Sequence, residues 1–153
     1  MKDVTLVIPA KFESESLPKV LSELKKFHVK KIIVLPKDDI LTIKSIKKHN
    51  FKKIFQKKNG YGSALNEGIL SVKTKYFCIF NADGSFDPKE LEGMLNVLNS
   101  KKLDFIFGSR YQKNSGSEDD TIITLIGNYI FTTIGKIFFR LPITDILYTF
   151  VLG

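Results

Sequence analysis

The chain has 153 residues, of which 43% are hydrophobic and 26% charged, so one packed domain or most of one can form and bury roughly 70% of its unfolded surface without staples. A single cysteine, Cys78, excludes an internal disulfide, and two histidines far apart, His28 and His49, exclude a Cys/His zinc cluster. The net charge is +8, with 12 lysines against only Asp38 and Asp39 between Lys25 and Lys58, but Arg110 and Arg140 are the only arginines, which disfavours a protein that reads nucleic-acid bases.

The elements expected along the chain alternate apolar runs with helical patterns, the signature of an α/β fold with a mostly parallel central sheet. Nothing at the N-terminus reads as a signal peptide, because the first apolar run breaks at Pro9. Val4 to Pro9 is a buried strand, followed by a helix with Leu17, Val20, Leu21 and Leu24 on one face, Ser14 or Ser16 as its cap and Pro18 in its first turn. Lys31 to Leu35 is a second strand, Ile40 to Lys48 a second helix, and Lys53 to Gln56 a third strand. The Asn59-Gly60-Tyr61-Gly62 turn then opens a helix whose inner face is Leu65, Gly68, Ile69 and Val72.

Tyr76 to Phe80 is aromatic and apolar throughout and is expected to be a central strand. The following helix has Asp87 as cap, Pro88 at its first position and Leu91, Met94, Leu95 and Leu98 on its buried face. Asp104 to Phe107 is another strand, and Gln112 to Asp120 a polar loop. From Thr121 to Leu141 apolar residues surround a helix on nearly all sides, with Asn128, Thr132, Thr133 and Lys136 interrupting the run, so it is interfacial or core. The apolar end at Phe150-Val151-Leu152-Gly153 reads as cut, and the apolar residues of Leu141 to Leu152 as favouring self-association into homo-oligomers. The domain reading is a core over residues 1–120, followed over 121–153 by the apolar helix and the start of a further region.

In open α/β sheets, ligands bind beyond the carboxyl ends of the strands. Pro9-Ala10-Lys11-Phe12-Glu13, Lys37-Asp38-Asp39, Gly60-Tyr61-Gly62 and Asn81-Ala82-Asp83-Gly84-Ser85 all fall there. Asp83 is the first candidate for a metal ligand, since Mg²⁺ or Mn²⁺ takes oxygen ligands shared with phosphates; the alternative is an aspartate that merely starts a turn with Gly84. The glycine pair fails the dinucleotide fingerprint because Leu65 occupies the third position, no Walker lysine motif is present, and neither histidine falls at a strand end to serve a nucleophilic triad.

Four segments in order, Val7-Ile8-Pro9-Ala10 through Glu13 to Leu17-Pro18, Gly60-Tyr61-Gly62-Ser63-Ala64 with Gly68, Asn81-Ala82-Asp83-Gly84-Ser85 to Pro88, and Gly108-Ser109-Arg110-Tyr111, resemble family 2 glycosyltransferases. The branch they most resemble contains dolichyl-phosphate mannosyltransferase and related polyprenyl-phosphate sugar transferases.

The resemblance implies a GT-A fold, a three-layer sandwich that binds a UDP- or GDP-linked sugar and inverts at the anomeric carbon. It implies that Pro9, Ala10 and Glu13 line the nucleotide pocket together with Gly60, Gly62, Asn81 and Ala82, with Asp38 or Asp39 approaching the base or ribose. Asp83, with Asn81 and Ser85, would hold Mg²⁺ or Mn²⁺ on the diphosphate. Arg110 would be a catalytic cation for the acceptor or donor phosphate beside Asp83, and Lys136 or Arg140 a second one. Gly127 to Phe139 resembles a helix that lies on the membrane surface, followed by an acidic residue matched by Asp145. A polyprenyl phosphate acceptor and a location at the cytoplasmic face of the membrane follow from the same resemblance.

Four departures stand out. Lys11-Phe12 replaces the family's Tyr-Asn, and Leu35-Pro36-Lys37-Asp38-Asp39 replaces Val-Asp-Asp-Gly-Ser. Asn81 replaces the first aspartate of Asp-x-Asp, which weakens the expected metal site. The chain also stops before the acceptor-side elements that family members carry further on. Two alternatives follow from these residues: a sugar nucleotidyltransferase, echoed by Ile8-Pro9-Ala10-Lys11 and Leu17-Pro18-Lys19, and a non-catalytic nucleotide-sugar-binding module.

Overall fold

The computed structural model describes residues 1–111 and 121–153, so the loop expected over 112–120 lies outside the described residues. Two compact units are present, one of residues 1–106 with 152–153 and one of residues 107–151. Among the described residues the sheet has six strands, in the order Lys52–Phe55, Lys30–Leu35, Val4–Pro9, Tyr76–Ile79, Val151–Leu152 and Ile106–Phe107.

In the first unit, β1 (Val4–Pro9) is buried at all six positions, as an apolar strand flanked on both sides should be. It pairs in parallel with β2 (Lys30–Leu35), Val7 opposite Ile32, and with β4 (Tyr76–Ile79), Leu6 opposite Cys78. β2 pairs in parallel with β3 (Lys52–Phe55), and β4 is bordered on its other side by antiparallel β6 (Val151–Leu152). The Tyr76 strand is therefore interior, as its apolar run implies. β5 is only Ile106–Phe107, shorter than the four residues the sequence suggests.

α1 (Leu17–Glu23) buries Leu17, Val20 and Leu21, and Ser16 stands at its cap position, but the Ser16 hydroxyl donates to the Glu13 carboxylate instead of closing the helix end. α2 stops at Ser45, three residues short of the expectation (Ile40–Ser45), and is capped by Asp39. α3 (Tyr61–Leu70) turns Gly68 to the sheet and packs Ile69 and Val72 against the core as expected, but Ala64 is buried in place of Leu65, which is only half-buried. Gly68 is required there. A Cβ on it would stand 2.4 Å from Val7 Cγ1 and 3.0 Å from Val34 Cγ2, so the helix rests directly on β1 and β2.

α4 spans Glu90–Ser100 and begins later than the Asp87-Pro88 signal suggests. The Asp87 carboxylate does accept an amide, that of Lys89 at 2.9 Å, but within a separate turn before the helix. Leu91 and Leu98 are its buried residues. His49 is half-buried: it stacks on Phe51 at 6.0 Å between ring centroids, and its Nδ1 is enclosed without a hydrogen-bond partner among the described residues.

The second unit contains α5 (Ile122–Phe139), opened by a capping box in which Thr121 and Thr124 exchange backbone and side-chain bonds. Its polarity is inverted. The buried residues are Asn128, Thr132 and Gly135, whereas Ile123 is 82% exposed, Phe138 74%, and Ile122, Tyr129, Ile137 and Phe139 are also exposed. Of the two readings for this helix, a core helix is thus not what the described residues form. Asn128 Oδ1 accepts the Leu147 amide at 3.1 Å and Thr132 Oγ1 the Ile146 amide at 3.3 Å. The polar stripe is needed because the segment after the helix runs back along it as irregular chain whose amides require acceptors.

Candidate functional site

At the carboxyl ends of β1, β2 and β3 lies a cavity of about 190 Å³ walled by Pro9, Ala10, Lys11, Pro36, Gln56, Asn59, Gly60, Tyr61 and Ala64. Each strand contributes its last residues or those just after it, and α3 begins at the same rim. Gly60 is essential to that start, since its φ of 111° is a conformation that side chains strain to adopt. Of the residues singled out from sequence, Pro9, Ala10 and Gly60 are in this wall. Glu13, Asp38, Asp39 and Gly62 are not. Lys11 and Tyr61 belong to the segments placed at this rim from sequence, and Asn59 to the turn that opens α3, whereas sequence reasoning gave no site role to Pro36 and Gln56, each of which follows a strand end. The Gln56 amide donates to the Lys58 carbonyl at 2.6 Å, which fixes the turn leading to Gly60.

Beside this rim, Asp39 is 5% exposed and holds two pieces of backbone: Oδ2 accepts the Phe12 amide at 2.6 Å, and Oδ1 the Thr42 amide at 3.2 Å. Burial pushes its carboxyl upward, but hydrogen bonds from Thr42 and Phe12 and the Lys11 charge outweigh this and hold it below the ordinary carboxylate range. Thr42 Oγ1 also accepts the Glu13 amide at 3.0 Å, so two consecutive peptides after β1 are tied to α2. Asp38, its neighbour, is exposed.

After β4, Asp83 is exposed and its Oδ1 accepts the Ser85 amide at 2.9 Å across Gly84, whose φ is 87°. Asn81 donates from its amide nitrogen to Ser85 Oγ at 3.2 Å, and Ala82 is buried. Asp83 is thus a turn former, as the alternative reading has it, and still keeps Oδ2 without a partner among the described residues. No group of three or more His, Cys, Asp or Glu that could hold a metal occurs among the described residues. One carboxylate oxygen with a neighbouring carboxamide and hydroxyl nevertheless fits Mg²⁺ or Mn²⁺, which is commonly held by one or two carboxylates plus substrate phosphates.

In the second unit, Arg110 and Asp145 meet. Arg110 Nε and its backbone amide reach Asp145 Oδ2 at 2.9 and 3.1 Å, and Nη2 reaches Oδ1 at 3.0 Å, while the Tyr111 and Tyr148 rings each stand 5.4 Å from the guanidinium carbon. The Asp145 side chain is fully enclosed. The geometry makes Arg110 first of all the partner of a buried carboxylate. A cavity of about 380 Å³ in the same unit is lined by Tyr111, Leu125, Asn128, Tyr129, Thr132, Thr133, Lys136 and Thr144, with Lys136 its one cation among the described residues. Arg140 ends α5 in the left-handed region, exposed.

The sequence profile of glycosyl transferase family 2 matches residues 5–152, essentially the whole chain. The chain belongs to glycosyl transferase family 2. An uncharacterized glycosyltransferase of Mycobacterium tuberculosis is 32% identical over 110 residues, covering 70% of this chain and 48% of that protein. An uncharacterized protein of Methanocaldococcus jannaschii is 27% identical over 132 residues, covering 83% of this chain and 54% of that one. The chain thus spans about half the length of these curated relatives.

Among solved structures, mannosyl-3-phosphoglycerate synthase from Rubrobacter xylanophilus superposes with a TM-score of 0.75 at 14% identity, over 99% of this chain and 53% of that one. Glucosyl-3-phosphoglycerate synthase from Mycobacterium tuberculosis, solved with phosphoglyceric acid, gives 0.71 at 13% identity, over 99% and 56%. These likenesses establish the GT-A fold.

Proposed function

We propose that this family 2 glycosyltransferase takes a hexose from a UDP- or GDP-linked sugar and transfers it, with inversion, to the phosphate of a polyprenyl phosphate at the cytoplasmic membrane surface. The carrying observation is the inverted polarity of α5: an 18-residue helix whose apolar side chains are exposed while Asn128 and Thr132 are turned inward. Its length and composition would also allow it to cross a bilayer. Lys136 in its last turn and Arg140 at its end, in a chain of net charge +8, suit the edge of an anionic surface, so the reading is a helix lying on the membrane.

In the proposed reaction, an acceptor phosphate oxygen attacks the anomeric carbon, the bond from that carbon to the donor's diphosphate breaks, and a nucleoside diphosphate leaves. A phosphate oxygen is already anionic near neutral pH, so this acceptor needs no general base. The strand-end cavity supports a role for Pro9, Ala10, Lys11 and Gly60 in seating the nucleotide. Asp83, with Asn81 and Ser85, would hold a divalent cation, which when bound neutralises charge on the departing diphosphate. Lys136, in the cavity of the second unit, is the better candidate than the ion-paired Arg110 to receive an anionic acceptor.

A second reading is favoured by the structural neighbours, two of which are phosphoglycerate synthases: the acceptor would be a small soluble phosphorylated acid. One incubation separates the two. Labelled UDP- and GDP-hexoses are supplied with short-chain polyprenyl phosphate in vesicles and with 3-phosphoglycerate. Label extracted into organic solvent supports the lipid acceptor; label only in a water-soluble phosphate contradicts it and supports the second reading.

A further inference from the structure

The lysine run between Lys25 and Lys58 has no part in the site at the carboxyl ends of the strands. At the opposite, amino ends of β2 and β3 lies a cavity of about 340 Å³ whose wall includes Lys30, Lys31, Lys52 and Lys73 and no carboxylate. Beside it, sharing Val29, Lys30, Lys31 and Phe51, is a wider hollow of about 680 Å³ that adds Lys2, Lys25 and His28, with Asp3 as its one acidic residue. None of these lysines makes an ion pair with a carboxylate among the described residues.

Register explains how these charges meet. Ile32 and Val34 of β2 and Ile54 of β3 pack with Ala64 and Ile69 of α3, and side chains alternate along a strand, so Lys30 and Lys52, each two residues before one of them, continue the same face beyond the apolar core. Ile32 is the register partner of Lys52, which makes Lys30 and Lys52 diagonal neighbours of like charge. Ser71, at the end of α3, closes a further side, and its carbonyl accepts from Lys52 Nζ at 3.3 Å. Lys31 Nζ donates to the Phe27 and Val29 carbonyls at 3.3 and 3.0 Å. Carbonyls orient these two ammonium groups without neutralising them. His49, stacked on Phe51 of the shared wall, adds no charge at neutral pH, since burial and the Lys25 and Lys53 charges hold its imidazole below the ordinary histidine range.

A concave surface lined by one sign of charge concentrates counter-ions, and several ammonium groups around a space of this size match a compact ligand with several anionic oxygens. We propose that the first unit carries a second anion site at the amino ends of β2 and β3, built on Lys30, Lys31, Lys52 and Lys73, that takes a small polyphosphate. The six residues of β2 separate it from the cavity at the carboxyl ends by roughly 20 Å, and it stands independently of the donor reading.

Inorganic triphosphate and, separately, ATP are titrated into the chain by calorimetry at near-physiological salt with EDTA, which removes metal-dependent binding at Asp83. Two double variants of equal net charge are compared: Lys30→Gln with Lys73→Gln, inside the cavity, and Lys47→Gln with Lys101→Gln, exposed and in neither wall. The expected result is saturable binding of one triphosphate by the parent, at least about tenfold weaker in the Lys30, Lys73 variant, and unchanged in the Lys47, Lys101 variant and in Asp83→Ala, at equal denaturation midpoints. Lys30→Arg with Lys73→Arg should keep most of the affinity. ATP bound through the same two lysines also supports the site, and its affinity relative to triphosphate tells a nucleotide from a free phosphate chain. Equal weakening in both glutamine variants would show only the diffuse attraction of a basic chain and overturn the site, as would a parent that binds no triphosphate. Loss in Asp83→Ala would place the binding at the other end of the strands and overturn it too. A single-stranded oligonucleotide or anionic vesicles held more tightly than triphosphate through Lys30 and Lys73 would overturn the small-ligand assignment.

Discussion

Arg110 and Asp145, 35 residues apart in sequence, form a two-pronged ion pair in which the aspartate side chain is fully enclosed and the arginine one-fifth exposed. Removing one partner leaves the other without its charge complement. Asp145→Ala should therefore cost on the order of 3 kcal/mol in urea denaturation, far more than a surface pair would. An Arg110→Met, Asp145→Leu double variant should recover part of that loss. A cost of a few tenths of a kcal/mol for Asp145→Ala would show the pair to be a surface one.

Two glycines of α3 should respond oppositely to alanine. Gly68→Ala places a methyl group against Val7 and Val34 and should destabilise by about 1–3 kcal/mol, because β1 and β2 cannot yield. Gly62 has nothing within 4 Å of where its Cβ would be, so Gly62→Ala should be neutral or add roughly 0.5–1 kcal/mol. Thermal denaturation of both variants decides it, and equal effects would contradict the close seating of α3.

Much of the first unit was legible because its information is local. The continuous apolar runs of β1 and β4 dictate interior strands, and Gly68 in a helical pattern signals close approach to the sheet. What stayed hidden depends on partners distant in sequence. Nothing near Asp39 says that it will hold the Phe12 amide 27 residues back, or distinguishes it from Asp38, an identical residue that ends exposed. The orientation of α5 was likewise illegible. Its apolar residues go all round, and the amides that draw Asn128 and Thr132 inward belong to Leu147 and Ile146, in a segment without periodicity. Of the candidate site, the strand-end rule located the cavity, but Gln56 carries no motif that marks it.

The Asp39 carboxyl titrates below its ordinary value in the folded chain, so its contribution to stability is fully present above the unfolded value near 3.8 and is lost as the pH falls through the lower folded value. Urea midpoints between pH 6 and pH 2 should show a steeper acid loss for the parent than for Asp39→Asn. At pH 6 the variant should already be about 1 kcal/mol less stable, because the helix cap and the Phe12 tie are weakened. Parallel acid limbs would contradict the role given to this carboxylate.

α5 makes an inverted prediction. Asn128→Leu, a change to an apolar residue in an apolar helix, should destabilise by about 1–3 kcal/mol by stranding the Leu147 amide, whereas Ile123→Lys with Phe138→Lys should leave stability unchanged. Flotation with anionic liposomes should carry the parent and not an Ile123→Glu, Phe138→Glu variant. A parent that stays in the aqueous fraction at low salt would remove the membrane reading of this helix.

Sugar transfer itself is the most direct test. Labelled UDP- and GDP-hexoses are incubated with the chain, polyprenyl phosphate vesicles and Mn²⁺, and the anomeric configuration of the product is read by NMR alongside Asp83→Ala and Asn81→Asp. The expected product is an inverted hexosyl phosphate, formed at least about tenfold less by Asp83→Ala and with a lower Mn²⁺ requirement by Asn81→Asp. A product with retained configuration, or transfer that is indifferent to Asp83, would contradict it.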